Sequence, residues 1–165
     1  MRSEIKQISD SLSNVQGLYQ AADVADLILC IAEEHDIFMT NKRLQCLLVI
    51  TDCLYSDTFG FTCFKDLIEK SSYPKLYSFY WIPSVYKNYS ICGFCTLYRD
   101  LDLYQRKALG SEDLQKLFST EALSFITSIV LEFGTLGKGT ADLSLISSKL
   151  MEERTKERTY NHGKR

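Results

Sequence analysis

Only two prolines, Pro74 and Pro83, interrupt this chain of 165 residues, and both lie near its middle. Proline removes a backbone donor and clashes with the preceding helical turn. Its scarcity leaves long stretches on either side free to be helical, and apolar residues recur there at helical spacing. In ADVADLILCIAEEH (22–35), Val24, Leu27, Ile28, Ile31 and Ala32 share a face, and Asp23 and Asp26 suit the positive end of the helix dipole. In TNKRLQCLLVITDCLY (40–55), Leu44, Leu47, Leu48, Thr51, Leu54 and Tyr55 form a stripe. Thr40 is its expected N-cap, and Gly60 follows soon after its end.

The second half repeats the pattern. SEDLQKLFS (111–119) reads as a short helix with Ser111 as N-cap. TEALSFITSIVLEFG (120–134) carries Leu123, Ile126, Ile129, Val130 and Phe133 at helical spacing and stops at Gly134. GTLGKG then reads as a flexible link. A last helix is expected over 140–158, with Lys149–Glu153 and Glu152–Lys156 spaced as i,i+4 pairs, followed by a loose tail over 159–165. The middle differs. Residues 61–82 are aromatic-rich and mixed in period, which predicts a loop with a short strand or hairpin around 76–82. Pro83 then sits at a natural first helical position, and Val85, Tyr86 and Tyr89 give that short helix an amphipathic face. The expected fold is mainly α: a compact single-domain helical bundle over 1–158 with a small irregular or β central element.

Composition narrows the function classes. A formal net charge of −2 supplies no basic field for nucleic acid. No apolar run approaches the length of a membrane span, and MRSEIKQISDSLS lacks the apolar core of a signal peptide, so the expectation is a cytoplasmic protein with no membrane partner. Six cysteines stand at 30, 46, 53, 63, 92 and 95. Cys30, Cys46 and Cys53 lie in apolar-periodic segments and read as small core residues.

The pair in ICGFC (91–95) invites a chemical reading. A thioredoxin-type dithiol follows a buried strand and opens a helix, whereas PSVYKNYS before Cys92 reads as a polar short helix. A structural zinc site needs a second pair, and only Cys63 and His35 could complete it. The expectation is therefore that Cys92 and Cys95 pack in or near the core beside a turn. No catalytic set emerges either. His35 sits at a helix end, His162 lies in the tail, and GTLGKGT lacks phosphate-loop spacing. No catalytic residue, metal ligand or cofactor site is expected.

One cluster exceeds this background: Tyr73, Tyr77, Phe79, Tyr80, Trp81, Tyr86 and Tyr89. About half should be core. Tyrosine and tryptophan are also enriched in protein contacts, so an aromatic groove for a protein partner is the leading functional reading. Lys75 and Lys87 could support stacking on nucleic acid, which the charge balance disfavours.

The order of the segments resembles the Panacea (SocA-like) domain family. Asp23, Val24 and Ala25 match its first motif. Thr40, Asn41, Leu44, Gln45, Leu47 and Leu48 match its Thr-Asn-x-x-Leu-Gln-x-Leu-Leu helix opening, and Trp81, Pro83, Val85 and Tyr86 match parts of its central segment. The resemblance spans roughly 21–151. It departs where the family has a Gly-Pro-Val step after the tryptophan, and where Ser147 and Ser148 replace a Thr-His. It implies a non-enzymatic helical domain that binds proteins, as antitoxins that neutralise a partner toxin or as an adaptor that delivers a toxin to a protease. Many such proteins are encoded in phages and mobile elements. On this basis Asn41, Arg43 and Gln45, as surface or capping groups, and Tyr80, Trp81 and Tyr86 are the expected partner-binding residues. The alternatives are a phage or mobile-element inhibitor of a host defence nuclease, and a thiol or zinc protein using Cys92 and Cys95. Homo-oligomerisation stays open.

Overall fold

A computed structural model describes residues 18–71, 79–92, 95–99, 106–135 and 139–163, with side chains to residue 156. Six α-helices carry it: α1 (Ala21–Glu34), α2 (Asn41–Phe59), α3 (Pro83–Tyr86), α4 (Ser111–Leu117), α5 (Thr120–Thr135) and α6 (Thr140–Gly163). A 3-10 turn, Lys87–Cys92, continues α3. Two short strands, β1 (Glu69–Lys70) and β2 (Tyr80–Trp81), pair antiparallel with Glu69 opposite Trp81 and Lys70 opposite Tyr80. The fold is mainly α with a small β element, as the sequence predicts.

The centre is α2. Thr40 caps it as expected, its Oγ1 accepting from the Arg43 amide at 3.2 Å. At the other end Gly60 takes the left-handed conformation (φ +83°) and its amide bonds back to Ser56. The expected single apolar stripe understates the burial. Every residue from Arg43 to Cys53 is buried, and Leu54 on the expected stripe is only half-buried. Helices α1, α5, α6 and strand β2 surround α2, so it has no solvent face over this stretch.

Burial on all faces forces the polar side chains of α2 to find partners inside. Asp52 shows the consequence. Its Oδ1 accepts the Cys63 amide at 2.7 Å and its Oδ2 accepts Arg154 of α6 at 2.8 Å. One carboxylate thus fixes the loop after α2 and the final helix. Asp66 acts likewise: it accepts from the Ala21 amide, an otherwise orphaned donor of the first turn of α1, and from Ser84 Oγ on α3. On α1, Asp26 accepts from the Leu109 amide and from Arg106, drawing the approach to α4 onto the core.

Three boundaries correct the sequence reading. Helix α4 has Gly110, not Ser111, at its N-cap and ends at Leu117, since Phe118 is already extended. Helix α6 runs through Gly163, so residues 159–163 are helical and not loose; no proline or glycine interrupts it before its end. The predicted hairpin does form, but its first strand is Glu69–Lys70, upstream of the expected range. The expected aromatics Tyr73 and Tyr77 and the centre of the 134–139 link lie outside the described residues. Among the described residues no helix is long and apolar enough to cross a membrane.

Asp52→Ala should cost about 3–5 kcal/mol in chemical denaturation, because it strands the half-buried Arg154 charge and orphans the Cys63 amide.

Candidate partner-binding surface

The polar residues at the start of α2 do not reach solvent. Asn41, Arg43 and Gln45 are all buried, which corrects the expectation of a polar contact surface there. Their positions follow from the enclosure of α2. A one-sided helix would have turned them outward, but β2 and α3 cover this side.

Gln45 is fully buried and bonds in two directions. Its Oε1 accepts the Ile82 amide at 2.8 Å, and its Nε2 donates to Asn41 Oδ1 at 3.2 Å. Asn41 Nδ2 in turn donates to the Tyr86 carbonyl at 3.1 Å. The two amides therefore clamp both ends of the segment 82–86, the joint between β2 and α3. Such a network is strong only when complete, because each buried polar group left unpaired costs about 1–3 kcal/mol. Arg43 plays a different part. Its guanidinium donates to the carbonyls of Phe38 and Gly134, tying the α1–α2 connection to the end of α5. Burial lowers its pKa from the ordinary guanidinium value.

What the clamp presents is aromatic. In a strand alternate side chains share a face, so Phe79 and Trp81 lie on one side and Tyr80 on the other. Tyr80 is buried, which places it in the core and corrects its expected role in contact. Phe79, Trp81 and Tyr86 are half-buried. The Trp81 and Tyr86 rings meet edge-to-face, 5.0 Å between centroids at 86°. The Lys42 ammonium stands 5.4 Å from the Phe79 ring centre, a cation–π distance. The ledge thus joins three aromatic rings, with Lys42 beside Phe79. Tyr89 belongs to the core.

A second apolar feature was not legible in the sequence. A cleft of about 410 Å³ opens between the end of α1 and residues 96–98. Its walls are Phe38 and Tyr98, each 58% exposed, and its floor includes the buried Met39 and Leu97. The Leu97 amide bonds to the Met39 carbonyl at 2.8 Å, which aligns the two stretches. The only local signal was an apolar residue, Phe38, just beyond a helix end.

The chemical candidates take structural places. Cys92 ends the 3-10 turn, half-buried, and Cys95 is exposed. A turn and not a buried strand precedes them. Cys95 on the surface corrects the expectation that both cysteines pack inward. The other four cysteines are buried, and burial pushes the thiols of Cys46 and Cys53 up to about 11. Among the described residues no three His, Cys, Asp or Glu side chains gather where they could hold a metal ion. Asp52 and Asp66 line a cleft of about 270 Å³, but both are engaged in the fold-holding bonds described above. His35 is exposed at the C-terminal end of α1.

No family model, curated protein or solved structure matches the chain.

Trp81 is the sole tryptophan, so its fluorescence reports this surface alone. Gln45→Leu removes the bond to Ile82 and the bond to Asn41 at nearly constant volume. It should cost about 2 kcal/mol or more and shift Trp81 emission to the red while helix content persists. An unchanged spectrum would show that Gln45 does not set the ledge.

Proposed function

We propose that the chain is a non-enzymatic protein-binding domain of the antitoxin kind, which masks a partner toxin or hands it to a protease, with Trp81 and Tyr86 as the contact centre. One observation supports this reading above the others. Two of the three segments that resemble the Panacea family, remote in sequence, meet in space: Asn41 and Gln45 from α2 hold the backbone that carries Trp81 and Tyr86. A buried network spent on fixing a short aromatic segment pre-organises that segment, and pre-organisation lowers the cost of binding. Half-exposed tryptophan and tyrosine supply large contact area with few rotatable bonds.

The partner face complementary to this ledge carries an apolar or aromatic anchor with an acidic group near the exposed Lys87. Asn41 and Gln45 act through the ledge, Arg43 ties the α1–α2 connection to the end of α5, and none of the three makes contact itself.

Co-expression with the product of the neighbouring gene tests the reading. A complex should form, and the growth defect caused by that product should be relieved. Trp81→Ala should weaken the complex by more than about 1 kcal/mol, roughly fivefold, while the melting temperature of the free domain stays within a few degrees. Absence of a complex and of relief contradicts the reading. Unfolding of Trp81→Ala would assign Trp81 to the core, and Tyr86→Ala then carries the test.

A further inference from the structure

Of the six cysteines, Cys92 and Cys95 alone are not buried. The Cys95 amide donates to the Cys92 carbonyl, three residues back, at 2.8 Å. A bond of this kind holds the first and fourth Cα atoms within about 7 Å. A disulfide spans Cα atoms about 4.4–6.8 Å apart, so the backbone already holds the pair near bonding range. The exposures differ in a useful way: Cys95 faces solvent, while Cys92 is half-buried beside the core. A thiol open to solvent meets an oxidant first, and a sheltered neighbour is placed to resolve the product.

We propose that Cys92 and Cys95 form a thiol-pair modification site that closes to an intramolecular disulfide by exchange with a small-molecule disulfide. This site does not depend on the partner-binding reading. Cys95 loses its proton, and its thiolate attacks one sulfur of the small disulfide. A mixed disulfide forms and one small thiolate leaves. The Cys92 thiolate then attacks the Cys95 sulfur and expels the second small thiolate. The protein loses two electrons and two protons, and one small disulfide becomes two small thiols. The remaining cysteines are excluded from this chemistry by burial. Cys30, Cys46, Cys53 and Cys63 all have thiol pKa values raised by desolvation, which suppresses the reactive thiolate.

The pair lies between two structural segments. Before it, the 3-10 turn continues from Tyr86 and contains the core residue Tyr89. After it, Leu97 bonds to Met39 at the floor of the cleft.

Oxidised glutathione added to the folded, reduced chain is the test, read by alkylation and peptide mass. A single tryptic peptide, Asn88–Arg99, holds both cysteines and no other. It should lose two hydrogens and both alkylation sites, and reductant should restore them. In Cys92→Ser, Cys95 should instead accumulate one glutathionyl group, at least about tenfold faster than any buried cysteine. In Cys95→Ser the initial attack by Cys92 on oxidised glutathione should be correspondingly slower. A stable glutathionyl adduct on the wild-type peptide, retained alkylation of both cysteines, or a disulfide linking either to another cysteine would overturn the proposal.

Discussion

The enclosure of α2 is the constraint on which the rest of the structure depends. A helix with water on one side can send its polar groups outward. Between Arg43 and Cys53 this one cannot, since every residue there is buried. Most of its polar side chains are matched inside, Thr51 Oγ1 being the exception, and the matches reach far along the chain. Gln45 captures residue 82, Asp52 captures residues 63 and 154, and Arg43 captures residue 134. Apolar burial supplies the drive to collapse, and these bonds fix which segments lie against which.

The same logic explains what could be read from the sequence. The helices were legible because apolar spacing, Thr40 and Gly60 are local signals. The all-round burial of α2 was not. Periodicity reports the strongest face of a helix, and Arg43, Gln45 and Asp52 break the apolar pattern while lying inside it. Their partners include residue 82, the loop at residue 63, the end of α5 and α6, which no local window contains. The polar residues at the α2 start were therefore expected outside, and Tyr80 was counted with the exposed aromatics although strand alternation turns it inward. The tail over 159–163 was expected to be loose because it lacks apolar periodicity, yet a helix needs only the absence of a breaker to continue.

For function, the arrangement separates support from presentation. Asn41 and Gln45 are buried, and their substitution would disturb the ledge only by releasing the segment they hold. Trp81 and Tyr86 stand at the surface, stacked edge-to-face, with Lys42 beside Phe79 on the same margin. Cys92 and Cys95, which first look like catalytic chemistry, lie at the end of the same segment, where a turn rather than a strand precedes the cleft.

The central claim is that a buried glutamine clamps the backbone beneath the aromatic ledge. Amide hydrogen exchange at Ile82 measures that bond directly. Its only neighbours in sequence are a two-residue strand and a one-turn helix, which alone would exchange quickly. With the Gln45 carbonyl at 2.8 Å, the Ile82 amide should be protected as strongly as the amides at the centre of α2, exchanging only on global unfolding. Exchange of Ile82 at the rate of an exposed loop amide, while the centre of α2 stays protected, would contradict the account.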